Sequence, residues 1–203
     1  MALVQPHYFS PIAQYVAIAK ASEIQFEVED NFQKQTYRNR CYIYSPQGKQ
    51  LLSIPIKHNK GTKQKTKEVI IDYKENWQKN HLKALYTAYN SSPFFEFYID
   101  DLLPVFNTKY KCLLDLNFAT HRFVMDALQL DLPQINTTEF NFKHPNDFRG
   151  LSIAKTKTPF KFDRYIQVFE TSHGFIPNLS ILDLIFMEGP NALNYLEQQT
   201  LNL

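Results

Sequence analysis

A strand, a turn, a helix and a second strand can be read from the first thirty residues, and this order constrains the fold more than any other feature. Ala2 to Gln5 is a short apolar run cut off at Pro6, which has no N–H to give to a ladder. Ser10-Pro11 then reads as a helix start, with serine as N-cap and proline at the first helical position. Ile12, Tyr15, Val16 and Ala19 follow at helical spacing and define one apolar face. Ile24, Phe26 and Val28 alternate with Gln25 and Glu27, which is strand spacing. Such a unit favours parallel pairing and sets the turn after the first strand at the ligand-binding edge of the sheet.

An antiparallel hairpin comes next. Cys41 and Ile43 alternate with Tyr42 and Tyr44, Ser45-Pro46-Gln47-Gly48 has type I turn chemistry, and Leu51 to Ile56 runs back. Lys57 to Lys67 holds five lysines and no acid and reads as a loop, after which Val69 and Ile71 suggest a short strand. The period then turns helical. Trp77, His81, Ala84 or Leu85, and Ala88 share a face; Ser92-Pro93 opens a second helix carrying Phe94, Tyr98 and Leu102, which Pro104 ends or kinks. Leu113, Leu116, Thr120, Phe123 and Ala127 mark a third helix. Leu132 to Phe162 reads as loop around short strands, Ile166 to Phe169 as a short strand, and Asn178 to Glu188 as a helix stopped by Gly189-Pro190. The expectation is an α/β fold: one domain over residues 1–203, with a mixed sheet, a hairpin and a helical C-terminal part.

Composition narrows the function classes. The 22 Lys+Arg nearly balance the 20 Asp+Glu, which disfavours a nucleic-acid binder. Only 5 glycines occur, with no dinucleotide or phosphate-loop pattern. No apolar run reaches membrane-spanning length and the opening residues do not resemble a leader, so a cytoplasmic protein with reduced Cys41 and Cys112 is expected. The histidines and cysteines lack metal-ligand spacing, so no metal is expected, and nothing in the pattern requires a cofactor.

Four segments carry a family resemblance. They are Gln5-Pro6-His7-Tyr8-Phe9-Ser10-Pro11; Lys34-Gln35-Thr36-Tyr37-Arg38-Asn39-Arg40 with the following Ile54-Pro55-Ile56; Trp77 with His81; and Gly174-Phe175-Ile176-Pro177-Asn178 through Phe186, closing on Glu188-Gly189-Pro190. In this order they resemble the WbqC-like family, with Ser10 standing where relatives often carry proline. The family takes its name from a protein of a bacterial surface-polysaccharide gene cluster. The resemblance therefore implies, by association, sugar or activated-acyl transfer.

The residues themselves suggest a chemistry. His7 follows the first strand, where a neutral-range acid–base group or a phosphate-holding N–H is useful, although His7 and Tyr8 equally suit a strand-edge cap. If Tyr37 to Arg40 is extended, Arg38 and Arg40 point to one side and Asn39 to the other, a fork for phosphate or carboxylate; the alternative is a surface pair bridged to Glu29 or Asp30. Trp77 and His81, one helical turn apart, fit either a core pair or a site wall with a second acid–base group. Asn178, Ser180 and Asp183 fit helix capping, or a substrate contact if they face His7. A fold-level analogy with nucleotidylyltransferases is weakened by the lack of a second histidine in the first motif. The combined reading is a transferase acting on an anionic activated substrate, a sugar nucleotide or an acyl or aminoacyl donor. In it, Arg38 and Arg40 hold the anion, His7 moves the proton, and Tyr8, Tyr37 and Trp77 line the pocket. The alternative is a non-catalytic module that binds a protein or an anion through the lysine loop and aromatic surface. Oligomeric state is left open.

Overall fold

The computed structural model describes residues 1–57, 63–155 and 160–201. Strand β1 (Ala2–Val4), helix α1 (Ile12–Ala19) and strand β2 (Ile24–Phe26) form the expected parallel unit, with Leu3 opposite Gln25. The strand β5 (Gln134–Asn136) joins β2 on its other side, again parallel, in the order β1-β2-β5. Strands β3 (Arg40–Ser45) and β4 (Gly48–Ser53) make the antiparallel hairpin as a separate two-stranded sheet. Its loop is only Pro46-Gln47, so the returning strand begins three residues before Leu51; Gly48, at φ 94, supplies the left-handed backbone.

Helices α2 (Trp77–Tyr89), α3 (Phe95–Asn107) and α4 (Leu113–Ala127) follow the hairpin, and α5 (Glu170–His173), α6 (Ile181–Glu188) and α7 (Ala192–Gln198) close the described chain. Pro104 lies inside α3, which continues to Asn107. The two Ser-Pro starts differ from expectation. Pro11 occupies the N-cap of α1 and Ser10 offers no cap; instead Asn178 Oδ1 accepts from the Ala13 N–H at 2.8 Å, a cap delivered from 165 residues away. Ser92 turns its hydroxyl to the Tyr89 carbonyl, and α3 begins at Phe95. No strand forms at Val69–Ile71, where only Ile70 and Ile71 make isolated bridges, and none forms at Ile166–Phe169. There the Gln167 side chain takes the place of a ladder, accepting the Ile176 N–H at 2.8 Å and donating to its carbonyl at 3.0 Å.

One cluster of buried apolar side chains draws on β1, β2, β3 and every long helix. Helix α6 runs through it, with Ile181, Leu182, Leu184, Ile185 and Phe186 all fully buried. A helix apolar on all sides belongs inside a core. Burying it also removes Asp183 from water, with consequences described below. No helix among the described residues is long and apolar enough to cross a membrane.

Candidate functional site

The parallel strands direct their carboxyl ends at a cleft. Gln5 follows β1 directly, Glu29 and Asp30 follow β2, and both ends open on a cavity of about 680 Å³. Its remaining walls include Arg38, Lys65 and Arg149, with Phe140 and Phe142 at the rim. Both the location and the volume suit a small-molecule site in a parallel α/β sheet.

Arg38 is the centre of this cleft. Its side chain is 1% exposed, and its guanidinium pairs with Asp30 and donates to Thr36 Oγ1 at 3.2 Å. Asp30 also accepts from Gln5 Nε2 at 2.7 Å and from the Thr66 hydroxyl at 2.6 Å, so three residues lock one charged pair. Burial works against the guanidinium's charge and lowers its pKa, while Asp30 opposes that shift. Two buried polar atoms of the cleft residues have no partner: the Arg38 Nε–H, a donor, and Gln5 Oε1, an acceptor. An unpaired buried group costs about 1–3 kcal/mol, so an incoming ligand that pairs with it recovers that amount.

The rim carries further charge. Arg149 grips Asp147 with two nitrogens, at 2.9 and 2.6 Å, reaches the fully buried Glu27 at 3.1 Å, and lies 4.8 Å from the centre of the Phe140 ring. Lys67 pairs with Glu29 at 2.6 Å, and Lys65 donates to the Glu29 carbonyl at 2.5 Å. The end of the lysine-rich segment therefore lands on the cleft rim; its residues 58–62 lie outside the described chain.

The residues anticipated from sequence divide into three groups. Tyr37 to Asn39 is a turn of 3₁₀ helix and not a strand, so Arg38 and Arg40 diverge. Arg38 faces the main cleft, whereas Arg40 and Asn39 line a separate hollow of about 280 Å³. The expected two-arginine fork does not form. Asn39 is also engaged in the fold, donating to the Ile54 carbonyl at 3.1 Å, and Tyr37 is buried against the His7 ring, 6.0 Å between centroids.

Tyr8, Trp77 and His81 form a buried aromatic cluster that contributes nothing to the cleft wall. The Tyr8 hydroxyl meets His81 Nδ1 at 2.9 Å, and the indole packs 5.3 Å from the imidazole. Burial pushes the His81 pKa down to about 4, which keeps it neutral. His7 is 2% exposed, and neither of its ring nitrogens has a partner. Burial first, and then the Arg38 charge, holds its pKa well below the usual imidazole range. It thus sits behind Arg38 as a neutral imidazole, enclosed and off the cleft wall.

The C-terminal trio does not face His7. Asn178 caps α1, and Ser180 caps α6 through the Leu182 N–H at 3.4 Å while donating to the Phe9 carbonyl at 2.9 Å. Asp183 is fully buried and accepts from Tyr89 at 2.8 Å, Tyr165 at 2.5 Å and Gln167 at 3.0 Å. Tyr89 in turn accepts the Tyr44 N–H at 3.0 Å, so the carboxylate ties α2, the hairpin and the Tyr165–Gln167 segment to α6. Burial raises its pKa to about 6 against three stabilising hydrogen bonds.

The profile of the WbqC-like protein family matches residues 5–166, well over half of the chain. The chain belongs to the WbqC-like protein family. It is also similar to the uncharacterized protein Rv1507c of Mycobacterium tuberculosis (strain ATCC 25618 / H37Rv), with 26% identity over 226 aligned positions covering 97% of this chain and 96% of the other. No solved structure matches it.

For this WbqC-like chain, sequence reasoning named Arg38, which lines the cleft, but not most of the residues around it. Gln5 and Asp30 had a usable signal, because each follows the end of a parallel strand. Arg149, Phe140 and Phe142 stand in a polar stretch without periodicity, and no spacing pointed to them. Among the described residues, no group of three or more His, Cys, Asp or Glu is arranged to hold a metal ion.

Proposed function

We propose that the Arg38 cleft binds the anionic group of an activated small-molecule donor, a sugar nucleotide or an acyl or aminoacyl donor, and that the protein is a transferase. The observation that carries this reading is the buried guanidinium at the carboxyl ends of β1 and β2, with its Nε–H unengaged beside an unengaged Gln5 oxygen. A phosphate or carboxylate oxygen satisfies the first and a hydroxyl or amide N–H the second. Lys65 and Arg149 stand at the rim paired with Glu29 and with Glu27 and Asp147, and Phe140 and Phe142 offer rings to a base, sugar or acyl chain. Positioning alone supplies much of the acceleration in transfer between two bound partners.

His7 is the neutral base nearest this anion holder. Because it is enclosed, its participation requires the Gln5–Ser10 turn to shift; Phe9 in that turn stands at φ 41, a strained conformation for a non-glycine residue. The same enclosure supports a second reading, a non-catalytic module that binds the anion without turning it over.

A thermal-shift screen with nucleotides, sugar nucleotides and acyl thioesters separates these from no binding. Arg38 variants risk unfolding, so Lys65→Ala and Phe142→Ala, both at the rim, serve as site variants. A ligand at about 100 times its Kd stabilises the fold by about 2.7 kcal/mol. That is a rise of roughly 5–10 °C for a chain of this size. A rise in the wild type that shrinks in both variants supports the site, and turnover of the same ligand distinguishes transferase from binder. No rise with any member of the panel refutes both readings.

A further inference from the structure

A second, larger hollow of about 940 Å³ lies between α4 and one face of the β2–β5 pair, and none of the chemistry above uses it. Helix α4 forms one wall, with Asp115, Phe118, Arg122 and Asp126 on a single helical face and Gln129 just past its end. The strands form the other. Phe26 and Asn136 are direct register partners and Gln134 is two residues behind, so all three side chains project on the same side of the β2–β5 pair.

Two features of this hollow bear on what it could hold. The first is His121 in its floor, 5% exposed, with Nδ1 engaged by the Tyr15 hydroxyl at 3.0 Å and Nε2 unpartnered. Tyr15 is fully enclosed, so its phenol needs an acceptor; Nδ1 is the one it has, which puts the ring proton on Nε2. With the Nδ1 edge turned to Tyr15 in the core, the Nε2 edge turns the other way, toward the hollow. The second feature is the state of the polar rim. Asp115, Arg122, Asp126, Asp131, Gln129, Gln134 and Asn136 are all exposed to solvent, and among the described residues their side chains make no hydrogen bond or ion pair, so they are free to meet a ligand.

The chemistry of this set selects a ligand. Three carboxylates ask for hydrogen-bond donors, whereas the floor imidazole N–H and Arg122 ask for acceptors. An organic cation serves the first group only, and an oxyanion the second only while being repelled by the aspartates. A hydroxyl does both. The edges and faces of Phe26, Phe118 and Tyr110 complete the wall with apolar surface, which suits the C–H faces of a ring bearing such hydroxyls. We infer that the hollow between α4 and the β2–β5 edge is a binding site for a polyhydroxylated ring, a saccharide unit. The site is separate from the Arg38 cleft and stands whether or not that cleft binds an anionic donor.

Saturation-transfer difference NMR on the full chain tests this directly, with glucose, galactose, N-acetylglucosamine, glucuronate and maltose as probes and spermidine as the competing cation. The expected result is saturation of sugar ring protons for at least one probe. Asp126→Asn should reduce the affinity about tenfold, the effect of weakening one charged hydrogen bond. Phe118→Leu should weaken the ring-proton signal, and Lys65→Ala, in the other cleft, should leave it unchanged. Melting temperatures of the variants separate lost binding from lost folding, and Gln134→Ala, on an exposed strand, provides a further variant that tests the same wall. Absence of saturation for all five sugars overturns the assignment. So does equal signal in Asp126→Asn and Gln134→Ala, or displacement of the sugars by spermidine alone through a site those variants do not touch.

Discussion

Asp183 sits fully buried in helix α6, and among the described residues it has no cation beside it and is held by two tyrosine hydroxyls and one amide. Its pKa is raised from the usual carboxylate value to about 6. The folded state therefore binds this proton more tightly than the unfolded chain does. The associated stability is complete below the unfolded pKa, near 4, and is lost as pH rises through about 6. A shift of roughly two units corresponds to about 3 kcal/mol in total, of which about 1–1.5 kcal/mol disappears between pH 5 and pH 7.5. Asp183→Asn removes the titration while setting an amide N–H against donors, at a fixed cost of about 1–3 kcal/mol. Other carboxylates titrate as well, so the informative quantity is the stability difference between wild type and Asp183→Asn, from urea unfolding at both pH values. Wild type should lead the variant by about 1–1.5 kcal/mol more at pH 5 than at pH 7.5. A difference that stays constant would mean that Asp183 ionises normally, and the claim of a dry, cation-free network would fall.

Three other perturbations have defined outcomes. Arg38→Ala strands Asp30 in the interior with only Gln5 and Thr66, and should cost about 3–5 kcal/mol in chemical denaturation; a loss below about 1 kcal/mol would show the pair to be solvated. Asn178→Ala removes the cap on α1 from a position at φ 57, whereas Asn178→Gly removes only the cap. The alanine variant should lose about 1 kcal/mol more, and equal losses would contradict a backbone contribution. Gly189→Ala would place a methyl 2.5 Å from the Phe94 ring at φ 52, with an expected cost of about 2–4 kcal/mol that Phe94→Leu in the same chain partly relieves. An unrelieved loss in the double variant would assign the whole effect to the backbone.

The parallel unit was legible because period-two alternation at Ile24 and Phe26, helical spacing from Ile12 to Ala19 and a proline punctuation at Pro6 all agree locally. Helix α6 and its glycine stop were legible for the same reason. Interactions between residues distant in the chain were not. Asn178 caps a helix from 165 residues away, and no spacing rule contains that partner. Tyr37–Asn39 looked extended because it leads into a strand, but a single turn of 3₁₀ helix rotates Arg38 into the interior and leaves Arg40 outside it. His7 and His81 were correctly placed after a strand and on a helix face. Their burial depends on what packs over them, which residue type alone does not reveal. The site followed the same division. The strand ends point to the cleft, whereas its walls at Asp30, Lys65 and Arg149 come from three segments joined only by the fold.

The occupancy of Arg38 Nε is the most direct measure of the proposed site. In an arginine-selective ¹H–¹⁵N spectrum of the full chain, this buried N–H should give a slowly exchanging signal, because it has neither a protein partner nor solvent access. Titration with inorganic pyrophosphate, a sugar nucleotide and an acyl thioester should move that signal as the side chains covering it give way and an oxygen reaches it. The same shift should require a higher ligand concentration in Lys65→Ala. If a ligand binds by thermal shift while the Arg38 Nε–H signal stays in place, the anion is held elsewhere and the Arg38 cleft is not its site.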